Sequence, residues 1–147
     1  MPSKQQNETY EITWLIRRLF RAMAQNANER LSSLNITAAD RAVLEFLYPD
    51  KELAVPEIAS RYQVSRQHVQ TTANGLQQKK LLKTKPNPNH KRSSLLALTS
   101  KGKKLFAAIR QDDAAALAKA FTGISRHDVK ITQNTLALML ERLNEGN

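Results

Sequence analysis

The fold is decided by one stretch near the middle of the chain, which reads Ala54-Val55-Pro56-Glu57-Ile58-Ala59-Ser60-Arg61-Tyr62-Gln63-Val64-Ser65-Arg66-Gln67-His68-Val69. Pro56 suits the first turn of a short helix, because its missing N–H has no partner there anyway. A break at Gln63-Val64 is followed by Ser65, a residue type that caps helix starts. The small side chain of Ala59 allows the two helices to cross closely at Val69. The stretch therefore predicts a helix-turn-helix.

The second helix of this motif has one apolar and one polar face. Val69, Ala73 and Leu76 recur at helical spacing, so they form a single apolar stripe. In a major groove, arginine pairs best with guanine and glutamine with adenine, whereas a capped helix start suits a phosphate. The candidate DNA contacts of this helix are Ser65, Arg66, Gln67, His68, Gln70, Thr71 and Asn74. The alternative interpretation is an ordinary solvated helix face.

A hairpin is predicted after this helix. Lys83-Thr84-Lys85 and the run from Ser94 to Leu98 are strand-like, and two prolines lie in the turn between them. Cations on such a tip suit a narrow minor groove, whose potential is strongly negative. The candidate DNA contacts of this wing are Asn89, His90, Lys91 and Arg92. The alternatives are a solvated turn, and for His90 a purely structural role within the hairpin.

Helices with apolar stripes are predicted on both sides of this central part. The first carries Ile12, Leu15 and Leu19, and the last carries Leu136 and Leu140. Capping boxes at Thr37/Asp40 and Ser125/Asp128 mark two helix starts. A chain of this length cannot bury the outer stripes alone, so a homodimer interface is expected. We expect one mostly helical domain over 1–147, with a winged helix part (36–104), dimerisation helices (9–34 and 105–145) and a two-stranded wing.

The basic residues are concentrated in one segment. The net charge is +10, and the 54 residues from Ile58 to Gln111 contain 12 Lys and Arg but no Asp or Glu. Such a distribution is typical of a surface that binds a polyanion. The alternative is a basic face that keeps the protein in solution.

The composition excludes several classes of protein. Cysteine is absent, which excludes disulfides, a thiolate metal site and a catalytic cysteine. The three histidines, His68, His90 and His127, lack metal-ligand spacing, and no serine stands in a nucleophile elbow. No 18-residue apolar run is present, and we expect no signal peptide because the first eight residues are polar. We expect no enzyme activity, cofactor, metal or membrane partner, and a cytoplasmic, nucleoid-associated bacterial protein.

The sequence resembles the MarR (multiple antibiotic resistance regulator) family of bacterial winged-helix transcription factors. The family signature has a wing of the type Asp-Arg-Arg followed by Leu-Thr-x-x-Gly, which here reads His90-Lys91-Arg92 and then Leu98-Thr99-Ser100-Lys101-Gly102. Three positions depart from the family pattern: His90 replaces the wing aspartate, while Gln63 and Lys80 replace glycines that often follow the two helices of the motif. A left-handed backbone without glycine costs on the order of 1 kcal/mol.

The resemblance also implies a dimer and a small effector. Many family members bind a small, often aromatic acid between the dimer part and the DNA-binding part. The candidate residues for such a pocket are Trp14, Arg17, Arg18, Arg41 and Tyr48, for which core packing or a surface charge is the alternative.

The function predicted from these observations is that of a sequence-specific, dimeric transcription regulator, a repressor released by a small aromatic or anionic effector. Its partners would be a pseudo-palindromic double-stranded DNA operator and a second copy of the chain. The alternatives are a less specific architectural DNA-binding protein and a winged-helix protein-interaction module.

Overall fold

The computed structural model describes Met1 and residues 3–146, which form six helices and three short strands. The chain divides into two compact units, Met1–Gln111 and Asp112–Asn147. The elements in chain order are α1 (Lys4–Ser33), α2 (Ala38–Leu47), β1 (Leu53–Ala54), α3 (Val55–Tyr62), α4 (Arg66–Gln78), β2 (Leu82–Lys85), β3 (Leu95–Leu98), α5 (Ser100–Ala120) and α6 (Arg126–Glu145). The predicted mostly helical, winged helix-turn-helix fold is confirmed.

Helix α1 begins earlier than the apolar periodicity indicates. The sequence predicts a start near Thr9, but the helix begins at Lys4. Ser3 caps it, because its hydroxyl accepts a hydrogen bond from the Gln6 main chain at 3.2 Å while the Gln6 side chain accepts one from the Ser3 main chain at 2.7 Å. This reciprocal pair satisfies two N–H groups that the helix itself leaves unpaired.

The helix-turn-helix forms as the sequence predicts. The Thr37 hydroxyl accepts from the Asp40 main chain at 3.0 Å and so opens α2, and Ser65 caps α4. Pro56 lies in the first turn of α3. The turn between α3 and α4 is made by Gln63, which adopts a left-handed conformation with φ of 58°.

The sheet has one strand more than the predicted two-stranded wing. Strands β2 and β3 pair antiparallel as the wing, with Leu82 opposite Leu98. The two-residue strand β1 adds to the other edge of β3, with Leu53 opposite Leu96, so the order is β1-β3-β2. The addition attaches the wing to the segment that leads directly into α3.

One hydrophobic core holds the first unit together, and it is built from α2, α3, α4, the sheet and the first half of α5. Its most deeply buried side chains, each less than 2% exposed, are Val43, Leu44, Leu47, Ile58, Val69, Leu76 and Phe106. Burying one leucine contributes about 1.5–3 kcal/mol relative to leaving it exposed. The predicted stripe of α4 lies in this core, which fixes the opposite face of that helix toward solvent.

In the second unit, Ser125 caps α6 by accepting a hydrogen bond from the Asp128 main chain at 3.0 Å. The helix has large apolar side chains in solvent: Ile131, Leu136, Leu138, Leu140 and Leu143. Over the described residues, no helix is both long and apolar enough to cross a membrane.

Candidate nucleic-acid interface

The polar face of α4 is the centre of the candidate site. Val69, Ala73 and Leu76 are completely buried, so the other side of the helix is held outward. The predicted contacts on that side are all exposed: Arg66, Gln67, His68, Gln70, Thr71 and Asn74. The arrangement suits a helix that enters a groove, because a major groove about 12 Å wide admits one helix with its side chains.

The start of α4 combines a satisfied cap with outward N–H groups. The Ser65 hydroxyl accepts from the His68 main chain at 3.0 Å, so this hydroxyl is engaged in capping. The remaining N–H groups of the first turn lack partners within the helix and carry its positive dipole end. An approaching phosphate would therefore meet these main-chain groups.

Two side chains on the polar face are hydrogen-bonded to each other. The Gln70 side-chain Nε2 donates to Asn74 Oδ1 at 2.9 Å. The two residues are one helical turn apart, which is the spacing at which helical side chains meet. This hydrogen bond fixes the plane of the Gln70 side-chain amide at the middle of the polar face of α4.

A shallow groove of about 240 Å³ joins this face to the wing. Its lining comes from three elements: Val55 and Pro56 of α3, Arg66, Gln67 and Gln70 of α4, and Ser93 of the wing. The structure thus brings three predicted contacts of the helix together beside the wing. Ser93 is a further candidate contact that the sequence did not single out, although it directly follows the wing cations.

The wing tip is an ordered turn with exposed side chains. The main chain of Asn89 donates to Asn87 Oδ1 at 3.0 Å, and that of His90 donates to the Asn87 carbonyl at 3.3 Å. Ser93 closes the turn by donating to the His90 carbonyl at 3.3 Å. All four predicted wing contacts lie in solvent: Asn89, His90, Lys91 and Arg92.

The electrostatics of the winged helix part are set by where its few acids lie. Three lysines of the basic segment form ion pairs: Lys85 with Glu52, Lys103 with Asp50, and Lys79 with Asp40 at 3.4 Å. Within residues 3–146, the cations beside the groove and on the wing make no such pair: Arg66, Lys83, Lys91 and Arg92. The uncompensated charge is therefore on the surface of α4 and the wing, where it attracts an anion.

The five residues predicted for an effector pocket make separate contacts. On α1, the Arg18 guanidinium lies 6.0 Å from the centre of the exposed Trp14 ring, and Arg17 is also exposed. On α2, Arg41 pairs with Glu45 at 3.4 Å.

Tyr48 follows α2 and packs against α5. Its ring lies 5.1 Å from that of Phe106, and the Arg110 guanidinium lies 5.2 Å from its centre. As sites for an effector, the five residues stay predictions.

A larger cavity of about 500 Å³ lies elsewhere in the first unit. It is lined by apolar side chains and three lysines from the α1–α2 connection, the end of α4 and the start of α5: Leu34, Asn35, Ile36, Lys79, Leu81, Lys101, Lys104 and Leu105. Lys79 donates there to the Asn35 carbonyl at 2.6 Å, and Lys101 donates to the Lys79 carbonyl at 3.1 Å. Among the described residues, no group of three or more His, Asp or Glu side chains could hold a metal ion.

Comparisons with known proteins agree with this geometry. Residues 34–93, which contain the helix-turn-helix and most of the wing, match the model of the MarR family. An uncharacterised protein of Mycobacterium tuberculosis is 32% identical over 94 residues, which are 64% of this chain and 66% of that protein. The chain thus spans about two thirds of the length of the first curated relatives that it matches.

More extensive similarities come from one regulator and two solved structures. The HTH-type transcriptional regulator MhqR of Bacillus subtilis is 24% identical over 83% of this chain and 84% of its own length. The crystal structure of the MarR family transcription regulator SP03579 has a TM-score of 0.89 at 23% identity, covering 96% of this chain and 93% of that one.

The second solved structure is a Staphylococcus aureus MepR mutant bound to an oligodeoxyribonucleotide. It has a TM-score of 0.65 at 25% identity and covers 90% of this chain and 97% of that one. Residues 34–93 thus match the MarR family, and the fold of the chain is that of MarR-family transcription regulators of known structure.

Proposed function

We propose that the protein is a DNA-binding transcription regulator that inserts α4 into a major groove and lays its wing on the adjacent backbone or minor groove. The observation that carries this proposal is the groove shared by Arg66, Gln67, Gln70 and Ser93, which is flanked by unpaired cations. A similar protein, MepR of Staphylococcus aureus, has been crystallised with bound DNA. The similarity to a family of transcription regulators also agrees with the expectation that the chain is not an enzyme.

Sequence-specific binding is favoured over architectural binding by the chemistry of the α4 face. An architectural protein needs cations near phosphates and no base-edge groups. The exposed face carries two glutamines, one asparagine and one arginine, the side chains that make bidentate pairs with adenine and guanine. The acid-free basic segment favours a polyanion such as DNA as the partner over an uncharged protein surface.

We infer that the regulator acts as a homodimer on a pseudo-palindromic operator. Exposed apolar side chains on α1 and α6 support this: Ile12, Trp14, Leu15, Leu19, Phe20, Leu136, Leu140 and Leu143. Contiguous apolar surface in water marks an association site. A two-fold dimer presents two recognition helices to half-sites roughly 34 Å apart along the duplex.

The experiment that tests this function is selection of duplexes from a random library, followed by titration of the selected and a scrambled duplex at several salt concentrations. We expect a pseudo-palindromic consensus and a preference of about 10³-fold or more for the selected duplex. Affinity for both duplexes should fall steeply with salt, because phosphate contacts release counterions. Equal affinities for the two duplexes would leave the architectural alternative, and a flat salt dependence would exclude nucleic acid as the partner.

We further propose that the protein is a bacterial cytoplasmic repressor, located at the nucleoid, that a small anionic effector with an apolar body releases from DNA. The cavity lined by Lys104 supports an anion with an apolar body, because Lys104 makes no ion pair within residues 3–146 and the other side chains of the cavity are mainly leucine and isoleucine. Lys79 also lies directly after α4, so a ligand there would bias the position of that helix.

Benzoate is a suitable probe for this site, with Lys104→Gln as the variant and Lys130→Gln on α6 as the matched control. We expect benzoate to weaken binding of the selected duplex to the wild-type protein and to the control, and to act less on Lys104→Gln. An equal response of all three proteins would place the effector elsewhere, with Trp14, Arg17, Arg18, Arg41 and Tyr48 as the next residues to replace.

A further inference from the structure

The hydrogen bond between Gln70 and Asn74 gives the α4 face a directional amide. Gln70 Nε2 donates to Asn74 Oδ1 at 2.9 Å, and both side chains are exposed on the face that carries the candidate base contacts. Gln70 also lines the groove between α4 and the wing, whereas Asn74 does not. The two residues therefore have different positions: Gln70 lines the groove, whereas Asn74 lies one helical turn further along α4 and accepts a hydrogen bond from Gln70.

Counting donors and acceptors shows what this arrangement leaves available. A glutamine side chain has two N–H donors and one carbonyl acceptor. Asn74 takes one of the two N–H groups, so one N–H and the carbonyl of Gln70 remain. The major-groove edge of adenine offers one acceptor, N7, and one donor, N6, and therefore needs just that combination.

The same count works against guanine. Guanine offers two acceptors in the major groove, N7 and O6. A glutamine with both N–H groups available can donate to either acceptor of guanine. Gln70, which is held by Asn74, has only one N–H left, and its carbonyl oxygen would face guanine O6, which is also an acceptor. The arrangement thus separates adenine from guanine more sharply than an unrestrained glutamine does.

We propose that Asn74 is a positioning residue that makes Gln70 selective for adenine at one base pair of each half-site. This inference rests on the proposed function, since it concerns how that same surface reads DNA. It assigns different roles to two residues that the sequence analysis grouped together as direct contacts. A restrained Gln70 also loses less side-chain freedom on binding, which favours the correct complex further.

The test uses the full-length protein with the substitutions Gln70→Ala, Asn74→Ala and Asn74→Asp, and with Asn134→Ala on the exposed surface of α6 as a matched control outside the α4 face. Aspartate keeps an acceptor oxygen for Gln70 Nε2, whereas alanine removes it. Each protein is titrated with the selected duplex and with two modified duplexes. One carries guanine in place of the consensus adenine whose selection Gln70→Ala relaxes, and the other carries 7-deazaadenine, which lacks the N7 acceptor, at the same position.

We expect Asn74→Ala to lower the adenine-to-guanine affinity ratio about tenfold, while its affinity for a scrambled duplex stays close to that of the wild type. Asn74→Asp should retain the ratio even though its added negative charge weakens binding to every duplex. Gln70→Ala should abolish the penalty for 7-deazaadenine, and Asn134→Ala should behave as the wild type does. If the hydrogen bond between Gln70 and Asn74 only stabilised the helix, Asn74→Ala would lower the thermal stability and leave the adenine-to-guanine affinity ratio unchanged.

Two outcomes overturn the proposal while the proposed function stands. If Asn74→Ala leaves the adenine-to-guanine affinity ratio unchanged, Gln70 needs no partner for its selectivity. If Asn74→Ala and Asn74→Asp lower this ratio equally, Asn74 contacts the base itself. A wild-type protein that selects no sequence at all would instead overturn the proposed function, and this inference with it.

Discussion

Two residues with full side chains, Gln63 and Lys80, hold the left-handed backbone that ends α3 and closes the turn after α4. Their φ angles are 58° and 60°. Both are positions where the MarR family pattern often has glycine, and both turns adopt the left-handed conformation that favours glycine. Residues other than glycine are strained in this conformation, because their Cβ atom comes too close to the following carbonyl oxygen. The chain retains these turns because the surrounding core fixes them.

Replacing Lys80 with glycine should therefore stabilise the protein. The relief of strain outweighs the extra freedom that glycine gains in the unfolded chain, so we expect the free energy of unfolding to rise by about 0.5–1 kcal/mol. Gln78→Gly is the matched control, because Gln78 is exposed but right-handed at the end of α4, so glycine relieves no strain there and should cost about 0.5 kcal/mol. Urea denaturation of the three proteins gives both values. A loss of stability in both variants would mean that Lys80 is not strained.

Two glycines of the chain, Gly102 and Gly75, differ in whether a side chain would fit in their place. A Cβ added at Gly102 would lie 2.2 Å from the carbonyl oxygen of Leu81, whereas one added at Gly75 would meet nothing within 4 Å. We expect Gly102→Ala to lower the free energy of unfolding by about 1–3 kcal/mol, since main-chain atoms must shift. Gly75→Ala should raise it by about 1 kcal/mol through helix propensity. Thermal unfolding followed by circular dichroism ranks the two variants, and a tolerated alanine at 102 would disprove the close approach.

At the scale of elements, local signals predicted most of the architecture. Caps at Thr37 and Ser65 mark helix starts because a side-chain oxygen bonds an N–H only three residues away. The start of α1 was missed because Lys4 to Glu8 contains no apolar residue, although Ser3 and Gln6 already formed a capping-box pattern. Strand β1 was missed because two residues cannot show an alternating pattern.

Features made by distant segments could not be predicted in this way. Strand β1 forms only by pairing with residues about forty positions further along the chain. The groove beside Ser93 and the cavity lined by Lys104 each combine elements that only the folded core brings together. Which residues share a face of α4 follows from helical geometry, but which of them adjoin the wing depends on the three-dimensional packing.

The recognition helix and the wing should contribute differently to DNA binding. Gln67 lies in the groove beside α3, so Gln67→Ala should cost about 1–3 kcal/mol on the selected duplex and relax the choice of base there. Arg92 is exposed on the wing, where any sequence offers phosphates, so Arg92→Ala should weaken all duplexes evenly and reduce the salt slope by about one. Titrations with selected and scrambled duplexes measure both effects.

The opposite result would reverse these assignments. If Arg92→Ala collapses the ratio of specific to random binding while Gln67→Ala leaves it unchanged, the wing reads sequence and the helix provides the anchor. Both variants should remain folded, because the two side chains lie outside the buried stripe of α4. Circular dichroism of each variant provides the control.

At the scale of the whole molecule, the chain has a well-buried core in the winged helix part and long apolar faces on its outer helices. Leu44 and Leu76 are completely buried, whereas Leu19 and Leu140 are 60% and 62% exposed. Such contrast within one chain indicates that the outer faces are covered by something other than this copy. Two recognition helices in one particle also explain how a short helix could select a long operator.

We therefore expect the protein to sediment as a dimer at micromolar concentration. A glutamate placed in an apolar interface leaves an unpaired buried charge, so Leu19→Glu and Leu140→Glu should each shift the protein toward monomer. Gln25→Glu on α1 and Asn134→Asp on α6 are matched controls that add the same charge at exposed polar positions away from the Leu19 and Leu140 stripes and should leave the dimer intact. The winged helix core does not include the substituted positions, so the monomeric variants should stay largely helical and still bind a single half-site weakly. Analytical ultracentrifugation of all five proteins decides the matter: a wild-type monomer would remove both the shared interface and the half-site spacing that depends on it.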